Sequence, residues 1–190
     1  PLILTPTRGI SAADQVPRAK VAAVYTQVIQ DLIDAEAKLP VSNGFFASKT
    51  AAAALLARVY LQKRDYTNAR DAANRVIISN RYSLRPTYAA AFPYNNAQPF
   101  SNTTEDVFAL QVTLNSGVND FQTFFSADGR GDIDISDDHL NLYDPADGRL
   151  DLFYLVSGSV YNRKNDNVYG NVHTIRLAEM YLIRAEANFR

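Results

Sequence analysis

Eight aspartates fall within two dozen residues: Asp128, Asp132, Asp134, Asp137, Asp138, Asp144, Asp147 and Asp151. Two chemistries use such carboxylates. A calcium loop of the EF-hand type needs oxygen ligands at its first, third and fifth positions, a glycine at the sixth and a closing glutamate at the twelfth. Asp132 and Asp134 supply the first pair, and the remainder of the pattern fails. Glycoside hydrolysis needs two carboxyl groups facing each other at roughly 5–9 Å, and linear spacing does not place any pair so. The ordinary role of aspartate in such a stretch is to cap short helices and close turns. Arg130-Gly131-Asp132 matches a cell-adhesion triplet by three letters only. His139 and His173 stand far apart with no ligand pattern around either. With no cysteine there is no thiol nucleophile or thiolate metal site, and neither a glycine-rich phosphate loop nor a G-x-S-x-G elbow occurs. The residues point away from an enzyme and name no metal and no cofactor.

Binding is better served. A sugar presents C–H faces that stack on aromatic rings and hydroxyls that need amide or carboxylate partners, on a loop held by a rigid scaffold. The stretch Asn115–Asp128 has that composition, with Asn119, Asp120, Phe121, Phe124, Phe125 and Asp128 as the candidate ligand-binding residues. The same residues would seat a peptide or plug a core. If the segment is extended, Phe124 and Phe125 point to opposite sides and only one of them stacks on ligand.

The scaffold that would hold this stretch is mainly helical. Thr50–Ser79 reads as two helices joined by the polar turn Lys63-Arg64-Asp65. One face of the first carries Ala52, Leu55, Leu56, Val59 and Tyr60; Ala69, Ala72, Ala73, Val76 and Ile77 form a buried stripe on the second. Ser48 and Asp65 are placed to cap them, and Asn80 to end the pair in a left-handed conformation. Upstream, Val21, Val24, Tyr25, Val28, Ile29, Leu32 and Ile33 make a stripe expected to start at Pro17 and to close at Pro40. The loop 85–104 carries Tyr88, Phe92, Tyr94 and Phe100, expected to staple it to the helices. Glu105–Leu114 reads as a strand, Leu152–Val156 and Ser159–Tyr161 as weaker ones, and Asp137–Tyr143 as one helical turn.

The hairpin fits the tetratricopeptide pattern of roughly 34 residues per helix pair. Leu56-Ala57-Arg58-Val59-Tyr60-Leu61 recurs as Leu177-Ala178-Glu179-Met180-Tyr181-Leu182. The two copies are expected to be equivalent helices with leucine and tyrosine turned inward. The second copy stops at Arg190, so its partner helix is expected beyond the chain, leaving Ile183, Ala187 and Phe189 uncovered. The organisation expected is one domain: a helical scaffold over 17–84, a loop and short-strand region over 85–170, and the start of a second helical repeat over 171–190.

The formal charge of −1 over 190 residues lacks the basic excess of a nucleic-acid binder. No apolar run approaches the ~20 residues of a membrane helix.

Four stretches, in order, resemble the SusD/RagB family of Bacteroidota nutrient-binding lipoproteins. They are Asp31-Leu32-Ile33-Asp34-Ala35-Glu36 with Leu39-Pro40, then Ala54–Leu61 with Asp65-Tyr66 and Ala69, then Glu105-Asp106-Val107-Phe108-Ala109-Leu110, and last Ile175–Ala187. The resemblance implies a mainly α, tetratricopeptide-like fold with a loop-rich insertion carrying a few short strands. It further implies a cell-surface protein held to the outer membrane by a lipid anchor absent from this chain, with a glycan or peptide ligand. Its partner would be a SusC-like TonB-dependent transporter. Family members usually carry a tryptophan-rich sugar platform, and this chain has no tryptophan. Two other classes stay open, a tetratricopeptide peptide-binding adaptor and a glycoside hydrolase. The roughly 100 irregular residues between the copies argue against the first.

Overall fold

A computed structural model describes residues 2–6, 8–9, 16–94, 102–113, 115, 117 and 119–190 and divides the chain into two units. Phe100 and Leu114, read above as loop and strand, lie outside the described residues.

The first unit comprises Pro1–Asn43, Ala47–Val76 and Met180–Arg190. Its first helix, α1, runs Val21–Lys38 and not from Pro17. Lys20 is extended and supplies no side-chain cap, and Val16, before the proline, has no side-chain oxygen to accept a first-turn N–H. α1 packs on α2 with Tyr25, Ile29 and Leu32 half-buried, while Val21, Val24, Val28 and Ile33 are exposed.

Ser48 caps α2 (Lys49–Gln62) by accepting the Ala51 N–H at 3.3 Å. The Asp65 carboxylate accepts the Asn68 N–H at 3.3 Å at the start of α3, Tyr66–Ile78. Between them Arg64 takes the left-handed conformation that lets a three-residue turn reverse the chain, with φ 60°. Asn80 takes the same conformation after α3, φ 53°. α2 buries Ala51 to Ala54, Leu56 and Ala57; α3 buries Ala69, Ala72, Ala73 and Val76. Alanine has the highest helix propensity and loses no rotamer freedom on burial, so these helices pack at little entropic cost. Arg75 forks onto Glu36 at 2.7 and 2.8 Å, tying α3 to α1.

The helix α7 (Leu177–Phe189) repeats the α2 pattern in part. Leu56 and Leu177 are 1% and 3% exposed, as the repeat requires. Tyr181 departs from it. The buried stripe of α7 is Leu177, Met180 and Ile183, and Tyr181 at its edge is 38% exposed, with Arg184 5.2 Å from its ring. Ile183 is buried, not uncovered; Ala187 is half-buried and Phe189 is exposed. Arg184 donates to Asn74 of α3 at 3.0 Å.

The second unit comprises Gly44–Phe46 and Ile77–Glu179. Its elements are short: α4 (Tyr88–Ala91), β1 (Asp106–Leu110), α5 (Asp120–Phe125), α6 (Asp137–Leu140), β2 (Phe153–Val156), β3 (Ser159–Asn162) and β4 (Val172–Arg176). The 3-10 turns Gly148–Leu152 and Arg163–Asn165 lie among them. Each helical piece begins on a side-chain cap: Thr87, Asn119, Ser136, Asp147 and Asn162. Where a helix is one turn long, a cap satisfies a large share of its free N–H groups.

β2 and β3 form a hairpin whose turn residues, Ser157 and Gly158, both have positive φ, 51° and 91°, the geometry that matches strand twist. β1 pairs antiparallel with β4. The start of the expected second repeat is therefore a strand, and the helix follows without a loop. Ala91, Phe92 and Leu152 form a small core with Tyr88, Ala89 and Tyr94 against it, so Tyr88, Phe92 and Tyr94 fasten loop 85–104 to the 3-10 turn Gly148–Leu152 within the second unit, in place of the helices expected. Among the described residues no helix is long and apolar enough to cross a membrane.

Candidate functional site

Asn119 sets up the site. Its side-chain oxygen accepts the Phe121 N–H at 2.9 Å and its amide donates to the Gly170 carbonyl at 2.9 Å. Its own N–H reaches the Val168 carbonyl at 2.8 Å. One buried asparagine thus starts α5 and pins it to the segment leading into β4. This helix replaces the extended conformation considered for Asn115–Asp128. Phe121 and Phe125, four residues apart, share a face with ring centroids 6.0 Å apart.

Beyond Ser126 the chain folds back on the helix. Arg130 N–H donates to the Thr123 carbonyl at 2.7 Å and Ile133 N–H to that of Phe124 at 3.1 Å. A Cβ at Gly129 would sit 2.7 Å from the Thr123 carbonyl oxygen, and closer still to that of Gln122. Ser126 and Tyr154 hydroxyls both donate to Asp166 Oδ1 at 2.7 Å. Burial, and then the bond to Asp166, pushes the Tyr154 pKa up, so the hydroxyl keeps the proton it donates.

Beside α5 lies a cavity of about 180 Å³ lined by Phe92, Asn119, Phe121, Lys164, Asn165, Asn171, Val172 and His173. It has room for roughly six waters. The lining divides into groups already committed and groups available. Asn119 is committed, and so is Asn171, which accepts the Val112 N–H at 3.0 Å and donates to Asn102 at 2.8 Å and Gln111 at 3.0 Å. His173 is half committed. Its Nδ1 lies 2.6 Å from Asp106 Oδ1, while Asp106 Oδ2 accepts from the Thr103 N–H and hydroxyl at 2.7 and 2.9 Å. A carboxylate only accepts, so Nδ1 carries the hydrogen and Nε2 is left for a ligand. Phe121 is 49% exposed, and the Asn165 amide has no partner among the described residues. Lys164 donates to the Tyr88 hydroxyl at 2.5 Å and sits 4.6 and 4.5 Å from the centroids of Tyr88 and Phe92. Among the described residues, wider cavities also lie in the first unit. One is lined by Leu61, Gln62, Arg64, Tyr66, Glu186 and Arg190, the other by Leu2, Arg18, Ala19, Val21, Val24 and Tyr25. The first also holds a free amide, Gln62, and the Tyr66 ring, but among the charged side chains of Arg64, Glu186 and Arg190; the lining of the second has no amide side chain.

Of the six residues singled out from sequence, the fold brings Asn119 and Phe121 into this cavity, Asn119 as a structural cap and Phe121 as an open ring. Asp120 and Asp128 are exposed. Phe124 is half-buried with Arg130 5.4 Å from its ring, and Phe125 is half-buried against Phe121. None of these four lines it. Lys164, Asn165, Asn171 and His173 come from the chain 40 residues onward and have no shared period with 119–128 to announce them. Within the aspartate-rich stretch, Asp144 and Asp147 accept the Ala146 and Arg149 N–H groups at 2.8 and 2.9 Å, as turn and cap. Among the described residues no three acidic, histidine or cysteine groups converge as a metal site.

No protein-family model matches the chain, and no curated protein matches it either. Solved structures do. A SusD superfamily protein from Bacteroides thetaiotaomicron VPI-5482 is 33% identical at TM-score 0.71, over 90% of this chain and 44% of its own. A protein from Bacteroides vulgatus ATCC 8482 named for sugar binding is 28% identical at TM-score 0.80, over 96% and 44%. A laminarin-binding SusD-like protein, 21% identical at TM-score 0.67, is covered over 54% of its length by 99% of this chain. The chain thus spans about half the length, or less, of the structures it matches. The third and fourth of the family-like stretches prove to be neighbours, β1 and the β4–α7 junction, joined by the Leu177 N–H to the Glu105 carbonyl at 2.9 Å and by Arg176 to the Glu105 carboxylate at 2.8 Å. Nearly the whole of this chain is built on the SusD-superfamily fold.

Proposed function

We propose that this chain belongs to a cell-surface protein that binds carbohydrate, and that the cavity beside α5 is where a sugar ring sits. The observation that carries this is the pairing of an open Phe121 ring with the uncommitted Asn165 amide. One satisfies the C–H face of a sugar and the other its hydroxyls, with His173 Nε2 as a third partner. The names of the solved neighbours favour the same ligand class. The protein acts by holding cargo and does no chemistry on it. Its place is the outer membrane, through a lipid anchor outside this chain, where it passes cargo to a SusC-type TonB-dependent transporter.

The test is a polysaccharide panel titrated against the chain, followed by Phe121→Ala and Asn165→Ala. Phe121→Ala should weaken binding roughly threefold to tenfold, the worth of one stacked aromatic, with the folded circular-dichroism spectrum retained. If both variants bind as the parent does, the sugar lies elsewhere. Co-purification with a SusC-type transporter tests the partner separately.

A further inference from the structure

Lys164 is where the cavity departs from what a neutral sugar needs. Its neighbours in charge are all paired. Arg163 lies 3.8 Å from Asp166, and Arg176 lies 2.8 Å from Glu105. No described residue forms an ion pair with Lys164. The residue is half-buried, and its ammonium donates one hydrogen to the Tyr88 hydroxyl and lies close to the two rings of Tyr88 and Phe92. Ring faces attract a cation but do not neutralise it, and a partly desolvated charge without a counter-charge is costly. The cavity supplies no counter-charge of its own. Its lining has no carboxylate, and the nearest acid to His173, Asp106, is spent on His173 and Thr103.

Resting on the carbohydrate reading above, we infer that the preferred ligand is an acidic sugar, one bearing a carboxylate or sulfate group. The anionic group meets Lys164, whose two remaining hydrogens are unspent, with the adjacent Asn165 amide as second donor. The pyranose ring lies on Phe121. An ion-paired hydrogen bond outweighs the one a hydroxyl would accept from the same ammonium, which sets the discrimination at roughly tenfold or more.

The test uses matched pairs that differ in charge: oligogalacturonate and its methyl ester, dextran sulfate and dextran. Calorimetric titration of the chain at low ionic strength should show the acidic member of a bound pair favoured roughly tenfold or more. Lys164→Gln should erase that preference by weakening the acidic member far more than the neutral one, and Lys164→Arg should retain it. Raising the salt should shrink the preference in the parent chain, a readout that holds even if Lys164→Gln folds poorly. Equal or tighter binding of the neutral members overturns the inference and leaves the carbohydrate reading standing. So does a preference that survives Lys164→Gln or does not respond to salt. If no member of these pairs and no glycan of the panel binds, the carbohydrate reading falls and this inference with it.

Discussion

In the first unit α2 and α3 bury eight alanines with Leu56 and Val76, with Arg75 on Glu36 and Arg184 on Asn74 as polar ties between its elements. The second unit buries few apolar residues and joins distant parts of the chain by polar contacts. Glu105 meets Arg176, Asp106 meets His173, Asn171 reaches Asn102 and Gln111, and Ser126 and Tyr154 meet on Asp166. Apolar packing is additive and tolerant in direction, so it suits a scaffold. Hydrogen-bonded knots are directional, and a half-satisfied one is worse than none. They can hold individual side chains where a ligand needs them, which six-residue helices and four-residue strands cannot do by packing alone.

The sharpest test of that contrast is Glu105→Ala. It leaves Arg176 partly buried without its counter-charge and should cost about 3–5 kcal/mol. Urea denaturation measures this; a loss below about 1 kcal/mol, typical of a surface ion pair, would end the distinction between the units. On the apolar side Leu56→Ala should cost about 2–5 kcal/mol and should lower far-UV helical signal at the transition. Asn171→Ala removes one acceptor and two donors, and should cost about 1–3 kcal/mol. Hydrogen exchange at the Val112 N–H should rise before that of the α2 amides. An unchanged Val112 would mean that Asn171 is not what holds it. The smallest effect lies at Asp147, whose carboxyl is held down to about 2 from 3.8 by the Arg149 guanidinium and then by the Arg149 N–H. A lowered folded value means this hold is complete above about pH 4 and is lost as pH falls through about 2. Arg149→Gln should move the Asp147 midpoint, followed by NMR, up toward the ordinary range while stability at neutral pH stays nearly level.

The same contrast decides what the sequence discloses. Alanine and leucine at helical spacing, with Ser48, Asp65 and Asn80 at the ends, are local signals, and the helical hairpin was legible from them. The β2–β3 hairpin was legible as the two strand candidates Leu152–Val156 and Ser159–Tyr161. α5 was not, because six residues give less than two turns for a period to appear and its consecutive phenylalanines suit a strand equally well. β4 was hidden because Arg176 ends a strand and Leu177 begins a helix with no turn residue between them. The helix start near Pro17 was misplaced by four residues for want of a cap. Half-legible describes the site: Asn119 and Phe121 drew notice by composition, whereas Lys164, Asn165 and His173 acquire meaning only when β4 and the turn before it are folded against α5. His173 in particular has no neighbour in sequence that could reveal Asp106.

Gly129 carries a consequence of another kind. Its φ is unexceptional, so no conformational rule singles it out; what forbids a side chain is the pair of carbonyls, from Gln122 and Thr123, already occupying the space. In a saturation library read out by folding, this position should accept one letter of the alphabet, while Gly148, with nothing within 4 Å of an added Cβ, should accept many. Two glycines that look alike in the sequence would then differ completely in how much information each holds about the fold.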